Sequence, residues 1–266
     1  EARPIFDGDQ IRDLQREERN RAKDIIEDFM IAANGVTARF LESKNVPSIR
    51  RVVRVPKRWD RIVELAGERG FTLPQVPDSK ALDEFLIRER NDDPIRFPDL
   101  SLAVIKLLGS GEYIAEFPGK TVPGHFGLAV KDYTHSTAPN HRYPDLITQR
   151  LLKAALNGKA SPYNFDQLGV LALHFTTQEN VINKVERHVE KSAAALLLES
   201  KIGQRYDGIV TGAADKGTWV RLLEMPIEGK VVQGFEGLDV GDRIQVQLIS
   251  VNVNQGFIDF RKVGRA

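Results

Sequence analysis

The chain has 266 residues, which is enough for one large domain or two smaller ones. Hydrophobic residues make up 41% and charged residues 28%, a balance typical of a globular protein with a sizeable core. The net charge of +1 gives no indication that the protein binds nucleic acid, so evidence for such binding must come from local clusters of basic residues. The lack of cysteine excludes disulfides and thiolate chemistry and allows a reducing compartment, so we expect a cytoplasmic protein. No apolar run reaches the roughly 18–20 residues that a membrane span needs, so we expect no membrane association.

A long helix is the first predicted element, over residues 9–43. Apolar residues recur at spacings of three and four from Ile11 and Leu14 to Phe40, as on one face of a helix. The helix cannot continue past Pro47, whose ring removes a helical hydrogen bond. Residues 45–58 are therefore predicted to be extended, and they carry the densest basic cluster of the chain.

Three shorter helices are predicted next. Apolar residues at helical spacing mark them in 59–66, 82–86 and 100–108, and Gly70 ends the first. Residues 112–142 contain several glycines, prolines and histidines between short apolar runs. This composition predicts a strand followed by loops.

The last helices of this half are predicted from capping signals. One begins at Tyr143, because proline suits the next position and the early Asp145 complements the helix dipole. Two more helices are expected after it. The second of these is predicted to start at Thr176, which forms a capping box with Glu179.

From residue 203 onward the composition changes to short alternating β-rich runs separated by turn residues. Five such runs in about sixty residues predict a small closed barrel of five strands. We therefore expect two domains, 1–202 and 203–266, and an α+β fold that is mainly helical before the barrel.

Three stretches carry patterns more specific than composition. The first, IIEDFMIAAN, occupies 25–34. The third is the pair Glu186-Arg187. The second runs from GHFGL at 124–128 through YTH to PNHRYPDL, which ends at 146. Together they resemble the ribonuclease II/R family of exoribonucleases over roughly 10–200, and the tail resembles the terminal barrel of that family.

The resemblance implies the C-terminal part of a ribonuclease II-type catalytic domain followed by a five-stranded OB-fold barrel that binds RNA. The implied activity is 3′-to-5′ hydrolysis of single-stranded RNA to nucleoside 5′-monophosphates with Mg²⁺. The metal-binding aspartates of the family lie upstream of the long helix, and we expect them outside this chain. The chain lacks an initiator Met, and we expect a monomeric piece whose partner is the remaining N-terminal part of the same protein and which is inactive alone.

The resemblance also implies catalytic roles for Glu27, His141, Arg142 and Glu186. An arginine at a helix N-terminus can stabilise the charge that builds on a phosphate, but Arg142 could instead pair with Asp145 and only shape the loop. Glu186 could be a solvated surface residue. The family usually places arginine where this chain has His141.

Candidate RNA contacts lie in the basic cluster and the barrel. A basic run is typical both of a solvated face and of a channel for a single strand. Alternation places Trp219 and Arg221 on one strand face, where an aromatic ring and a cation suit an RNA base and phosphate. A core position is the alternative for Tyr206 and Phe235. The predicted RNA-binding residues are Arg50, Arg51, Arg54, Tyr143, Tyr206, Trp219, Arg221 and Lys230.

The two histidines of the loop and the function as a whole each allow another interpretation. His125 and His135 are either catalytic or, more simply, satisfy loop hydrogen bonds, and one nearby acid is far short of a metal-ligand set. A non-catalytic RNA-binding or scaffolding module is the alternative function. A double-stranded DNA binder is disfavoured because the sequence has no basic recognition helix.

Overall fold

The structure is a computed structural model, and it describes residues 2–8, 10–16, 20–94, 97–120 and 122–265. Within those ranges the chain forms a mixed fold of α-helices and β-strands. The helices are α1 (Arg21–Ser43), α2 (Trp59–Gly67), α3 (Ser79–Asp92), α4 (Phe97–Leu108), α5 (Tyr143–Leu156) and α6 (Phe165–Leu198). The strands are β1 (Ala2–Asp7), β2 (Gln10–Arg16), β3 (Ser48–Val52), β4 (Glu112–Glu116), β5 (Arg205–Ala214), β6 (Gly217–Leu222), β7 (Glu228–Gln233), β8 (Arg243–Asn252) and β9 (Phe257–Arg265).

The N-terminal segment corrects the prediction of one helix over 9–43. β1 and β2 form an antiparallel hairpin around a turn at Gly8, whose φ of +62° suits glycine. The helix begins only at Arg21, where the side chain of Asn20 accepts a hydrogen bond from the backbone of Lys23 at 3.1 Å. A single spacing of three residues, as between Ile11 and Leu14, does not distinguish a helix from a strand.

A two-stranded antiparallel sheet, β3 with β4, lies at the centre of the helical half. Its apolar side packs against α1, α5 and the first turns of α6. The loop that precedes α5 runs beside it, because Arg51 N donates to Tyr133 O at 2.9 Å. The buried residues of this core are Leu41, Ile49, Tyr113, Ile147, Leu151, Leu168, Ala172 and Phe175.

The three short helices α2, α3 and α4 form a second core. Trp59 is buried there, and its indole Nε1 donates to Pro74 O at 2.8 Å. Phe85 of α3 is fully buried in the same cluster. These three helices confirm the spacing-based predictions for 59–66, 82–86 and 100–108.

Helix α6 corrects the prediction of two helices with a start at Thr176. It runs unbroken for 34 residues from a capping box between Asn164 and Gln167. The Thr176 hydroxyl donates to Ala172 O at 3.0 Å within the helix and accepts from Tyr113 N at 2.9 Å. A threonine inside a helix often bonds the carbonyl four residues earlier, so the spacing to Glu179 was coincidental.

The five strands after α6 pair into a closed ring in the order β5-β6-β7-β9-β8, in which β7 and β9 are parallel. The predicted five-stranded barrel is thus confirmed. Alternate residues of β6 are buried, and Trp219 and Arg221 lie on the outer face, as alternation predicts.

The end of α6 packs into the barrel, since Ala194, Ala195 and Leu198 belong to the same buried cluster as the strands. The β7–β8 loop packs in turn against the helical half, where its Val240 is buried among α2, α3 and α4. The division at 202/203 stays a prediction. Within the described ranges, no helix has both the length and the apolar character that crossing a bilayer requires.

Candidate functional site

A row of aromatic and imidazole rings marks the candidate site, where the loop before α5 meets β4. Tyr133 packs edge-on against His125 and His135, with ring centroids 5.3 and 5.7 Å apart. His135 in turn contacts the ring of Tyr113 at 5.7 Å. The three loop residues come from the GHFGL and YTH motifs, so the fold brings these motifs together.

Burial keeps both histidines neutral. Burial, helped by the charge of Arg51, lowers the pKa of His125 to about 4. Burial, helped by Arg142 and Arg51, lowers the pKa of His135 to about 3. Burial raises the pKa of Tyr113 to about 12, and its hydroxyl lies 2.9 Å from His135 Nδ1. A protonated hydroxyl that donates to a neutral imidazole satisfies this pair, which supports the structural interpretation of His135.

Asn34 of the IIEDFMIAAN motif holds this loop from α1. The side chain is fully buried, and its Oδ1 accepts from Ser136 N at 2.9 Å and from Ser136 Oγ at 2.8 Å. Its Nδ2 donates to the hydroxyl of Tyr133 at 3.3 Å. Asn34 was not among the predicted site residues, although its place at the end of a matched motif was a signal.

Asp145 anchors the junction between the loop and α5. Its Oδ1 accepts from Ala138 N at 2.9 Å and from Arg142 Nη2 at 2.7 Å, and the carboxylate is fully buried. The pairing expected under the structural interpretation of Arg142 is therefore present. Arg142 remains one-third exposed at the N-terminus of α5, and its Nε has no hydrogen-bond partner among the described residues.

The other predicted catalytic residues lie at different places around this loop. His141 is exposed, with its Nε2 3.3 Å from Asn140 Nδ2. Glu27 lines a cavity of about 500 Å³ between α1 and the loop, with Leu128 and Tyr133 on the facing wall. Glu186 is exposed on α6, and in the described ranges no ion pair joins it to Arg142. The convergence of the four residues stays a prediction.

Glu179 is the α6 carboxylate that meets the ring cluster, and the sequence analysis missed its role. It accepts from Arg51 Nη1 at 2.5 Å, and the Arg51 guanidinium lies 4.8 Å from the centroid of the Tyr113 ring. Glu186 follows seven residues later, on the same face and about 10 Å further along the helix. Glu179 lies seven residues, or about two helical turns, before Glu186, and this spacing was the signal in the sequence that the two share a helix face.

The basic cluster at 50–58 does not form a free cationic strip, which corrects the prediction for Arg50. Arg50 is 1% exposed and pairs with Glu116 and, at 3.5 Å, with Glu42. Burial raises the pKa of Glu116, and the charge of Arg50 opposes that shift. Arg50 is thus a structural residue, because a phosphate could reach it only after the core opened.

The remaining RNA candidates divide between surface and core. Arg54 is exposed and pairs with Glu112, and Tyr143 is half exposed with its ring 5.2 Å from that of Phe175. Arg51 is largely buried by its contacts with Glu179 and Tyr113. RNA contact by these three residues stays a prediction.

The prediction that Tyr206 contacts RNA is wrong, whereas the other barrel candidates lie on the barrel surface. Tyr206 is 8% exposed within the barrel core, with its hydroxyl donating to Gln204 at 3.0 Å, so it cannot stack on a base. Trp219, Arg221 and Lys230 are partly exposed on the outer face, and Phe235 is exposed. The alternative of a core position therefore holds for Tyr206 and not for Phe235.

A metal fits poorly among the residues that the structure describes. No group of three or more histidine, aspartate or glutamate side chains converges in those ranges. A site for two divalent cations needs several converging carboxylates. Asp145 and Glu179, the acids nearest the ring cluster, are committed to Arg142 and Arg51.

Comparisons with known proteins agree with this geometry. The chain is 31% identical over 229 residues to ribonuclease R 1 of Lactococcus lactis, covering 82% of the chain and 27% of that protein. Its fold matches that of Mycoplasma genitalium RNase R in complex with ribose-methylated single-stranded RNA, with a TM-score of 0.80 and 22% identity over 99% of this chain and 45% of that one. It also matches yeast Ssd1, described as a pseudonuclease, with a TM-score of 0.61 and 18% identity over 88% of this chain and 30% of that one. The chain thus spans less than half the length of each of these relatives.

Family models account for most of the chain. The RNB domain model matches residues 1–158, and the model of the RNase II-type exonuclease C-terminal S1 domain matches residues 204–263. The first match includes Asn34, Tyr133, His135, Arg142 and Asp145, and the second spans the barrel. Since the RNB model covers more than half of the 266 residues, the chain belongs to the RNB family of ribonuclease II/R exoribonucleases.

Proposed function

We propose that the protein to which this chain belongs is an exoribonuclease that degrades single-stranded RNA from the 3′ end and releases nucleoside 5′-monophosphates. The observation that carries the proposal is the loop held by Asn34 and Asp145, which presents Arg142 at the N-terminus of α5. A helix N-terminus with an oriented guanidinium favours an anion such as a phosphate. Membership of the RNB family supports the same activity.

In this proposal the residues of the chain position RNA. Asp145 binds one terminal nitrogen of Arg142 at 2.7 Å and so fixes the direction of the guanidinium. The remaining N–H groups of its terminal nitrogens can donate to phosphoryl oxygens as the charge on those oxygens increases. Glu27 borders the cavity beside Tyr133 and is proposed to contact a ribose hydroxyl, which is the group that distinguishes RNA from DNA.

Magnesium is the proposed cofactor, and the described residues do not supply its ligands. We propose that carboxylates in the remaining part of the same protein hold it, and that it neutralises the charge of the phosphate when bound. Exposed apolar side chains on two helices support a docking surface for that part. They include Ile26 and Phe29 of α1, and Val170 and Leu173 of α6, of which Phe29 is 70% exposed.

The barrel is proposed to be an OB-fold that binds the single strand outside the active site. Trp219 presents an aromatic face and Lys230 a cation on the outer side of neighbouring strands. Stacking of a base on Trp219 is worth about 1–3 kcal/mol. We therefore expect Trp219→Ala to weaken binding by about 5- to 150-fold while the barrel stays folded by circular dichroism.

Two assays test the proposed activity. The full-length protein is incubated with a 5′-end-labelled single-stranded RNA and Mg²⁺, and stepwise shortening of the labelled strand with release of mononucleotides is expected. Residues 1–266 alone are expected to bind the same RNA with negligible hydrolysis. RNA that stays intact with the full-length protein would contradict the proposed exoribonuclease activity. Chelator-sensitive cleavage by residues 1–266 would show a metal site within the chain.

A non-catalytic RNA-binding module is the second candidate. The presence of His141, where the family usually has arginine, favours it. The full-length assay separates the two candidates, because a binding module would retain RNA affinity and leave the strand intact. In an active protein, Arg142→Ala should lower kcat far more than RNA affinity, since its partner is the developing charge.

A further inference from the structure

The guanidinium of Arg51 occupies a space that only glycine leaves open at position 111. A Cβ atom on Gly111 would lie 2.7 Å from the central carbon of that guanidinium and would displace it. The same group lies over the ring of Tyr113, 4.8 Å from its centroid, and donates to Glu179 of α6 at 2.5 Å. With only 14% of its side chain exposed, Arg51 is closely held by these three neighbours.

Helix packing alone does not account for this ion pair. Phe175 of α6 already contacts the Tyr113 ring edge-on at 5.8 Å, and the Thr176 hydroxyl accepts from Tyr113 N at 2.9 Å. An ion pair that is largely removed from water recovers little more than its desolvation cost. Its distinctive contribution is direction, because a planar guanidinium that is both stacked on a ring and bonded to a carboxylate has one orientation.

Arg51 is connected at two points to the loop before α5. Its backbone N donates to Tyr133 O at 2.9 Å. The hydroxyl of Tyr113, whose ring Arg51 covers, lies 2.9 Å from His135 Nδ1. The loop then runs on from His135 to Arg142 at the N-terminus of α5. A displacement of Arg51 would therefore be passed to the segment that presents Arg142.

Arg142 lies close enough to the Tyr113–His135 pair to act on it electrostatically. Burial, helped first by the charge of Arg142 and then by that of Arg51, lowers the pKa of His135 to about 3. Burial raises the pKa of Tyr113 to about 12 against the charges of both arginines. The two guanidinium groups thus lie near one neutral pair, and each is held by a carboxylate from a different helix.

We propose that Arg51 and Glu179 are positioning residues for the proposed reaction: they hold Tyr113 against His135 and so fix the place at which the loop presents Arg142. The carboxylate of α5 directs the guanidinium itself, whereas this pair places the loop that carries it. The inference rests on the proposed function and deepens it, because it makes α6 a determinant of the reaction rate.

Two substitutions release Arg51 in different ways. Gly111→Ala displaces the guanidinium without changing any charge, and Glu179→Gln removes the charge that holds it. In the full-length protein with single-stranded RNA and Mg²⁺, each should lower kcat by about 10- to 100-fold, since a small misplacement of a reacting or stabilising group is costly. KM should change less than about threefold, because Arg142 acts on the developing charge.

The matched controls make the same chemical changes elsewhere on α6. A Cβ atom on Gly169 would meet no atom within 4 Å, and Glu190 is exposed. Gly169→Ala and Glu190→Gln should leave kcat within about twofold of the wild-type value. Circular dichroism and thermal melting establish that the variants are folded. If Glu179→Gln does not fold, Gly111→Ala decides, because it keeps both charged groups.

A double-mutant cycle tests whether the effect passes through Arg142. In an Arg142→Ala background, Gly111→Ala and Glu179→Gln should change the single-turnover rate by less than about twofold, because the group that they position is gone. A purely structural role would lower the rate by the same factor in both backgrounds.

The outcomes separate this inference from the proposed function. Wild-type kcat in both Gly111→Ala and Glu179→Gln would overturn the positioning role, and so would equal losses with and without Arg142. Either result would leave the exoribonuclease activity itself intact. A wild-type full-length protein that leaves RNA uncut would contradict the proposed function and the positioning role with it.

Discussion

At the scale of single residues, the polar side chains matched to the family motifs mainly hold a loop in place. Asn34 and Asp145 are both fully buried, and each bonds backbone and side-chain groups of the segment between His135 and Arg142. A buried polar group is costly unless it is paired, so such residues define one loop conformation. The groups that face RNA in the proposal are positioned through them.

The contribution of Asn34 can be measured directly. Asn34→Ala would leave Ser136 N, Ser136 Oγ and the Tyr133 hydroxyl without their partner, and we expect a loss of about 2–3 kcal/mol in the free energy of unfolding. Urea denaturation provides the measurement. Asn157→Ala is the control, because its amide bonds only the exposed Lys153 O, and it should cost less than about 0.5 kcal/mol. Equal losses would contradict the buried network.

The two buried histidines predict a pH dependence of stability. Unfolded imidazoles bind protons below their ordinary pKa of 6.5, whereas the folded pKa values of His125 and His135 are about 4 and about 3. The unfolded state therefore binds more protons as the pH falls below 6.5, and stability present above that value is lost towards pH 4 and 3.

His135→Gln tests this directly, since an amide oxygen can accept from Tyr113 and does not titrate. Between pH 7 and pH 5 the variant should lose less stability than the wild type, by about 2 kcal/mol. His174→Gln, at an exposed position of α6, should leave the pH dependence unchanged. A His135→Gln protein with the wild-type pH profile would show that folding does not lower the pKa of His135.

At the scale of elements, α6 joins the parts of the molecule. Its first half packs on β4 and α5, its middle carries Glu179 to the ring cluster, and its last turn enters the barrel core. One continuous helix fixes the distance between these points at about 1.5 Å per residue. A break at Thr176 would uncouple the barrel from the loop that presents Arg142.

The start of α6 can be tested at its cap. Asn164→Ala removes the acceptor for Gln167 N, a bond of 2.8 Å, and should cost about 1 kcal/mol in urea denaturation. Thr177→Ala is the control, because its hydroxyl only bonds Leu173 O within the helix and alanine has the higher helix propensity. No loss with Asn164→Ala would place the helix start elsewhere.

At the scale of the whole molecule, the β7–β8 loop ties the barrel to α2. Arg61 is nearly buried, and it donates to Val240 O at 2.8 Å and to Asp242 at 3.0 Å, while Arg58 reaches Asp239 at 2.6 Å. The end of α6 and the pair between Lys106 of α4 and Glu228 of β7 also attach the barrel to the helical half. They set the direction in which the barrel faces.

Removing the Arg61 attachment should loosen the barrel. Arg61→Ala loses a buried backbone bond and partly exposed ion pairs, and we expect about 2 kcal/mol of destabilisation after discounting for solvent screening. Hydrogen exchange should also rise at the amides of 239–242. Arg88→Ala, which breaks an exposed pair with Asp92 within one helix, should cost less than about 0.5 kcal/mol. Unchanged exchange in Arg61→Ala would show that Val240 packing alone holds the loop.

The sequence by itself determined the elements whose signals are local. Spacing located α2 to α4, and capping signals located the start of α5. Alternation located the five strands of the barrel and the outward face of Trp219, and the motifs indicated the family. It failed at Thr176, where a capping spacing occurs inside a helix, and at Ile11, where a single spacing of three residues was too little to establish a helix.

Only the tertiary structure decided which charged and aromatic residues are available to a ligand. Arg50 and Arg54 are close neighbours in one basic run, but Arg50 pairs inside the core with Glu116 while Arg54 is exposed. Tyr206 and Trp219 are both aromatic residues of the barrel strands, but Tyr206 lies on the inner face of its strand and Trp219 on the outer face. Burial and pairing depend on residues distant in sequence, such as Glu179 beside Arg51, and local spacing carries no information about those contacts.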